Sequence, residues 1–552
     1  MGRYLNPGKG AFEQAVNSEI FVDKTEMISY LNRVVNTEQK YVCVSRPRRF
    51  GKSMAAKMIC AYYDCNADSR SLFEKCKISK VIDNKVQKWD EYLGKFDVIK
   101  LVMTDFFEEG TDADKALAKL QMSLIRDLTR KYAEVDYLDK NDLSQTLNDI
   151  CCEKNTQFVV VIDEWDAIFR EYKDDKEGQK KYLDFLRKWL KDNEYIALAY
   201  MTGILPIKKY GKHSALNMFD EYSMIYPMQL APYTGFTTAE VEDLCRRYGR
   251  DYGKISDWYD GYRVSDIIPP DPEQKLLLTT GQAPEAPKYF LYSPLSVIKA
   301  IRSGYIKNYW NATETYEALQ QHIDWNFDGL KEDVTVLMDG GKIPVDITGY
   351  QNDMTTFNSK DDILTMLVHL GYLGFDSDTD EVFIPNKEVL DVFKSSTKNR
   401  EWTVTFRALQ NSQKLLEATW KGDQKTVAVL LEAAHDKAGN KTYHSEAGLS
   451  YAVQLAYYAA QDLYTIIPEL DTGKGYADLA YIPKAPKYPA MLIELKYDKD
   501  ADTAISQIHR QKYPDRLELY KGNLILVGIN YDRTVSNDNV EFKHHSCEIE
   551  KA

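Results

Sequence analysis

Short, nearly continuous apolar runs alternate with stretches of helical periodicity through the first third of the chain. The runs are Lys40–Ser45 (KYVCVS), Phe96–Met103 (FDVIKLVM), Phe158–Ile162 (FVVVI) and Ile196–Met201 (IALAYM). They are too short for helices and apolar on both faces, which predicts strands covered on either side. Between them, Ala113–Tyr132 carries Leu117, Leu120, Met122, Leu124, Ile125 and Leu128 in a helical pattern. This alternation predicts an α/β domain on a mostly parallel sheet.

From about Thr237 the strand runs stop and helical patterns take over, opening with Thr237 ahead of the acidic Glu240 and Glu242, as at a helix N-terminus. A helical, strand-free second layer is expected there. Ile268–Pro287 holds five prolines and reads as a long inserted loop. Asp361–Leu373 (DDILTMLVHLGYL) predicts an amphipathic helix, and Gly374-Phe375 with Val382–Ile384 a short strand pair, the order of a winged-helix-like unit. One further helical stretch, Val404–Ala434, leads into a C-terminal α/β segment.

Composition bounds what these elements can do. The 552 residues are 44% hydrophobic and 28% charged, which suits an ordinary globular chain of about three or four domains and excludes a single small module. No stretch approaches the ~18 apolar residues of a membrane span. The segment Met1–Phe12 lacks the apolar core of a signal peptide, and Asn6 breaks the myristoylation pattern. The expectation is a soluble, cytoplasmic protein without a membrane partner. Eight cysteines are scattered without a C-x-x-C pair, which argues against a disulfide framework or a zinc site. The net charge of −13 repels a phosphate backbone in bulk, so nucleic-acid contact must rest on a local basic surface.

The first candidate chemistry lies where strand Tyr41–Ser45 meets a helix. Gly51-Lys52-Ser53 at that junction suits a phosphate loop: unpaired N–H groups meet phosphate oxygens, Lys52 reaches the β/γ-phosphates, and the Ser53 hydroxyl sits on Mg²⁺. The stretch Arg46-Pro47-Arg48-Arg49-Phe50 completes the loop, with Arg46 where the usual pattern has glycine. Phe158–Asp166 (FVVVIDEWD) ends a buried strand in Asp163-Glu164, at the sheet edge where open α/β sheets bind ligands. Asp163 is expected to hold Mg²⁺ with Ser53, Glu164 to orient the attacking water, and Thr202, ending a later strand, to sense the γ-phosphate. The alternative is a solvated basic turn and a strand that merely terminates in acids.

The second lies near the C-terminus. Met491–Tyr497 (MLIELKY) reads as a buried strand, yet Glu494 and Lys496, two residues apart, point to one side of it. Buried charges are costly unless they pair or bind a metal. On the neighbouring strand Tyr476–Ile482, Asp478 is expected to share a divalent cation with Glu494, and Lys496 to position water or stabilise charge at phosphorus. The alternative is a structural ion pair beside a turn residue.

Together these segments resemble a family of bacterial proteins that pair an AAA-ATPase-like domain with a C-terminal PD-(D/E)XK nuclease-superfamily domain. The resemblance rests on Phe21-Val22-Asp23-Lys24-Thr25, Ser45–Ser53 (SRPRRFGKS), IDEWD, Thr202-Gly203-Ile204, Ser214–Asp220, Trp258–Tyr262 (WYDGY), Tyr292–Ser296 (YSPLS) and Tyr309-Trp310, and it covers almost the whole chain. It implies that Arg46 is the family's own loop variant. It also implies that Glu446, opening the helix before the nuclease core, and Glu469 are further acids of that site, and that Gln507 and Tyr513 lie on a helix that can contact it. His444 and Trp258 have stronger readings as packing or capping residues, as do Tyr259 and Tyr262. Arg246 and Arg247 are candidates for an arginine supplied in trans by a homo-oligomer.

The expected architecture is a multidomain α/β chain. A P-loop ATPase-like parallel-sheet domain spans 1–235, a helical lid 236–345, a winged-helix-like unit 346–400 and a PD-(D/E)XK-like α/β nuclease domain 401–552. The expected function is ATP binding, with hydrolysis, that controls Mg²⁺-dependent cleavage of phosphodiester bonds, DNA being favoured over RNA. The alternative is an ATP-dependent switch whose nuclease-like domain only binds nucleic acid or a protein.

Overall fold

Alternate residues of the apolar runs go to opposite faces of one sheet. Strands β1 (Tyr41–Ser45), β2 (Asp97–Val102), β3 (Phe158–Asp163), β4 (Ile196–Gly203) and β5 (Asp220–Tyr222) run parallel in the order β2-β3-β4-β1-β5. Val42, Val44, Val98, Val159, Val161, Leu198 and Tyr200 pack with helices Met27–Val34 and Lys52–Tyr63. Cys43, Ile99, Leu101, Val160, Ile162 and Met201 pack with helices Ala113–Lys131, Leu143–Lys154 and Lys176–Leu190. Each fully buried Val, Leu or Ile contributes roughly 1.5–3 kcal/mol, so both layers are held by the same strands. Strand β5 was not expected, because three residues running from exposed to buried give no period to read.

The computed structural model describes residues 2–81, 88–107, 112–207, 209–210, 213–214, 216–265, 288–310, 329–351, 357, 359–396, 400–438, 449–450, 453–454, 456–457, 460, 463–471, 476–510, 517, 519–532 and 544–551. The chain divides into two units, Met1–Ser396 and Thr397–Ala552.

The expectation that strands cease at Thr237 fails. Helix Thr238–Tyr248 starts at a capping box between Thr237 and Glu240, but β6 (Phe236–Thr237), β7 (Tyr262–Ser265) and β8 (Lys288–Tyr292) form an antiparallel sheet in the order β6-β8-β7. These strands are short and only partly buried: Tyr262, Arg263 and Val264 alternate, and Lys288–Tyr292 is buried only at Leu291 and Tyr292, so they lack the apolar continuity of a parallel core. The proline-rich segment Ile268–Pro287 lies outside the described residues.

Helix Lys360–Leu370 ends at Gly371, whose φ of 86° only glycine adopts without strain. The chain then forms β10 (Gly374–Asp376) and β11 (Glu381–Phe383), joined by β9 (Ile343–Pro344) in the order β9-β11-β10.

In the second unit, the single helical stretch expected over Val404–Ala434 is two helices, Arg400–Lys421 and Gln424–Ala438. Gly422, at φ 78°, breaks the pattern, and Asp423 restarts it by accepting from the N–H of Thr426. They cover one face of a five-stranded sheet through Leu479, Tyr481, Met491, Ile493 and Leu495. The sheet runs β12 (Tyr464–Asp471), β13 (Tyr476–Pro483), β14 (Ala490–Tyr497), β15 (Leu524–Tyr531), β16 (His545–Lys551), and only β14 and β15 are parallel. Helix Ala501–Arg510 packs on the other face with Leu492 and Leu526. Among the described residues no helix is long and apolar enough to cross a membrane.

Candidate functional site

The carboxyl ends of β1, β3 and β4 lie side by side, with Ser45 beside Gly203 and Ile162 beside Met201. Beyond β1 the loop turns through Arg49 (φ 69°) and Gly51 (φ 90°) into helix Lys52–Tyr63. Lys52 is buried, and its Nζ donates to the carbonyls of Arg46 (2.7 Å) and Pro47 (2.8 Å). Burial pushes its pKa down to about 8 against the opposing pull of Asp166, Asp163 and Glu164. Asp163 is buried at the end of β3, where it accepts from the Thr202 hydroxyl and from the N–H of Glu164 (3.1 Å).

A cavity of about 710 Å³ opens above this edge, within the usual size of a small-molecule site. Its lining combines Arg48, Arg49, Gly51, Lys52, Ser53, Glu164 and Arg170 with the apolar Phe12, Phe21, Val22, Met54, Phe236, Leu295 and Ile298. Charged and apolar groups together suit a nucleotide's phosphates and base.

In the second unit Asp478 and Glu494 lie close enough to interact. Asp478 accepts from the N–H of Leu495 (2.7 Å), and Glu494 Oε1 from Lys496 Nζ (2.9 Å) and from Gln507 Nε2. Glu494 Oε2 is buried with no hydrogen-bond partner. Burial and the Asp478 charge push the Glu494 carboxyl up to about 7. Such an orphaned oxygen beside a second carboxylate is what a hard divalent cation complements. Among the described residues no group of three or more potential ligands forms. Glu446, His444 and Tyr513 lie outside the described residues, as does the side chain of Glu469.

Comparison with known families places both segments. Residues 10–211 match the family described as predicted AAA-ATPase, and residues 449–540 the PD-(D/E)XK nuclease superfamily. The chain carries one segment that matches each of these two families. No curated protein matches it. It is similar to the Walker-type ATPase PABY2304 of Pyrococcus abyssi (14% identity, 67% of this chain and 94% of that chain, TM-score 0.31). It is also similar to the ORC2 protein of Aeropyrum pernix (12%, 71% and 98%, TM-score 0.26) and to Cdc6p of Pyrobaculum aerophilum (10%, 70% and 93%, TM-score 0.22).

In the AAA-ATPase-like domain the expected loop residues part company. Arg48 to Ser53 line the cavity, whereas Arg46, Pro47, Asp163 and Thr202 do not. The Arg46 guanidinium is fully buried and donates to the carbonyls of Ser45 (2.9 Å) and Tyr222 (2.8 Å), while its Nε and Nη2 have no partner. Burial lowers its pKa to about 10. Its cation therefore lies under the loop rather than in the cavity. Arg246 and Arg247 are not among the cavity's lining; both pair with Asp243 on their own helix.

Two residues escaped sequence reasoning. Asp166, buried within IDEWD, accepts from the N–H groups of Ile204 (2.9 Å) and Leu205 (3.0 Å). Arg170 stands one helical turn beyond it and bonds Glu164 (3.2 Å). The acid-to-Arg spacing of four was the only local signal. Burial works against the Arg170 charge, but Asp166 and Glu164 outweigh it and raise its pKa.

The residues expected to pack do so against the loop. Phe50 packs edge-on against Tyr262 (5.2 Å between centroids) and accepts from the N–H of Gly235 (2.8 Å). The Tyr262 hydroxyl donates to Gly371 (2.6 Å), and Arg49 to the carbonyl of Tyr309 (3.3 Å). Buried Glu388 accepts from the N–H groups of Tyr309 (2.6 Å) and Trp310 (3.0 Å). Tyr259 is buried too, its hydroxyl donating to Lys307 (2.8 Å). WYDGY and Tyr309-Trp310 thus pack rather than face the cavity.

Proposed function

We propose that this protein binds and hydrolyses ATP in the cavity of its AAA-ATPase-like domain, and that occupancy controls phosphodiester cleavage by its nuclease-superfamily domain, with DNA as substrate. The working division is an ATPase-like core over 1–235, a lid over 236–345, a winged-helix-like unit over 346–400 and the nuclease-like domain over 401–552. Lys52 exchanges its loop carbonyls for β/γ-phosphate oxygens and Glu164 orients water, while Thr202, outside the cavity lining, senses the terminal phosphate through its bond to Asp163. Ser53 would hold Mg²⁺ with the nucleotide directly and Asp163 through water, and Asp478 and Glu494 would hold a second ion at the nuclease site. Such an ion, when bound, polarises a phosphate and lowers the pKa of water. Lys496, fixed by its bond to Glu494, supplies positive charge beside it.

The observation that carries the nuclease reading is the buried, unpartnered Glu494 Oε2 beside Asp478. The test is cleavage of labelled DNA and RNA by the full chain with Mg²⁺ or Mn²⁺, with ATP, with a non-hydrolysable analogue and without nucleotide. Asp478→Ala should abolish cleavage and Lys52→Ala its response to nucleotide. No cleavage under any condition would sink the reading.

A second reading is a switch whose nuclease-like domain only binds. It is favoured by Lys496 and Gln507 both engaging Glu494 Oε1, which leaves the site partly self-satisfied. In that case Asp478→Ala leaves the cellular phenotype intact while Lys52→Ala removes it.

A further inference from the structure

The guanidinium of Arg170 occupies an unusual place: inside the cavity, between an acid fixed in the core and an acid facing the nucleotide's expected position. Its side chain is 9% exposed and lines the same cavity as Lys52, Ser53 and Glu164. On the core side Nε stands 3.6 Å from Asp166, an ion pair too long for a hydrogen bond. Asp166 is fully buried and fixed by the N–H groups of Ile204 and Leu205. On the cavity side Nη2 bonds Glu164, which is 40% exposed and whose backbone is left-handed at φ 54°. Of its five N–H donors one, on Nη2, bonds Glu164; Nη1 stands 4.0 Å from Glu171, and Nε is buried without a hydrogen bond among the described residues.

We infer that Arg170 is the group that distinguishes a nucleoside triphosphate from a diphosphate: it holds Glu164 and, when a triphosphate binds, transfers that bond to the terminal phosphate. The inference rests on the nucleotide site proposed above. An incoming terminal phosphate adds negative charge to a cavity where Lys52 is already shared with loop carbonyls. Arg170 has donors to spare, and Asp166 anchors it, so it exchanges partners without leaving its place. A guanidinium matches phosphate oxygens in a planar fork. Released, Glu164 becomes free to accept a proton from water, so Glu164 is engaged until the triphosphate is bound. A diphosphate leaves the Arg170–Glu164 pair closed. The cation thus comes from this chain's own short helix Ala167–Glu171, not from Arg246 or Arg247.

The experiment measures affinities for ADP and for a non-hydrolysable ATP analogue, each with Mg²⁺, in the full chain. The wild type should favour the triphosphate by on the order of tenfold or more, the worth of a charge-assisted bond. Arg170→Ala should bring that ratio to about one while ADP affinity stays within about twofold. Arg170→Lys, which keeps the charge and guards against misfolding of the alanine variant, should restore part of the ratio. Glu164→Gln should tighten triphosphate binding by freeing the guanidinium, and Arg170→Ala in that background should erase the gain. An unchanged ratio in Arg170→Ala overturns the inference, as does an equal loss of both nucleotides that Arg170→Lys repairs. If the wild type binds neither nucleotide, the nucleotide-site reading falls as well, and the two failures are thereby distinguished.

Discussion

Gly371 lies so close to Pro47 that a Cβ on the glycine would come within 2.7 Å of the proline's Cβ. The end of helix Lys360–Leu370 thus rests on the same loop residue whose carbonyl holds Lys52. Gly371→Ala adds a left-handed alanine to that overlap and should cost roughly 2–4 kcal/mol. Thermal melting of the first unit and nucleotide affinity should fall together. Tyr262→Phe, which removes only the bond to the Gly371 carbonyl, should cost about 1–3 kcal/mol. Unaltered nucleotide affinity in both variants would separate this packing from the phosphate loop.

Lys52→Ala should weaken nucleotide binding by on the order of a hundredfold with little loss of fold, because it removes the central charge-assisted contacts. Titration calorimetry checks this directly. Burial brings the lysine's pKa down to about 8, and a bound phosphate should raise it. Binding near pH 9 should therefore take up a proton and binding near pH 7 should not. Because the folded pKa lies below that of the unfolded chain, the lysine disfavours folding below about 8, and that penalty fades as pH rises through about 8 toward the ordinary lysine range. Identical enthalpies in buffers of different ionisation heat at pH 9 would contradict this account.

For Glu494 the sign is reversed. Its folded pKa of about 7 lies above the ordinary carboxylate value, so the ion-free protein loses stability as pH rises through that range to about 7. Cation binding needs the ionised form. The melting-temperature rise that Mg²⁺ confers should grow with pH and level off above about 7, and Glu494→Gln should abolish it. A rise independent of pH would place the ion elsewhere.

Gly528 on β15 lies opposite Glu494, and a Cβ there would come 2.6 Å from the Ala501 carbonyl and 3.0 Å from Ala504. Gly528→Ala should push helix Ala501–Arg510 away from the sheet, costing about 1–3 kcal/mol. Because that helix carries Gln507, cleavage should fall more than stability predicts. Equal loss from Gly528→Ala and from Gln507→Ala would link helix position to the site.

What the sequence made legible follows from how far each signal acts. The parallel core announced itself because strands covered on both faces must be apolar throughout, as β3 and β4 are. Gly51-Lys52-Ser53 and Asp163-Glu164 stood out because they break such runs at strand ends. The antiparallel strands around Tyr262 did not, since two to five half-exposed residues carry no decisive period. Nor could the path of Arg46 be read: a loop arginine is ordinarily exposed, and only the packing of β5 beside β1 gives it the Tyr222 carbonyl. Arg170 was invisible for a related reason, since its meaning depends on Glu164 and Asp166 turning toward it in three dimensions.

The proposed nucleotide cavity is lined by Phe12, Phe21 and Val22 and also by Leu295 and Ile298. During synthesis the ribosome delivers the first three and the phosphate loop long before the last two. A nascent chain that has not reached Ile298 therefore lacks part of the cavity's lining. On the proposed reading, truncated products that end before Leu295 should retain ATP less well than the full chain.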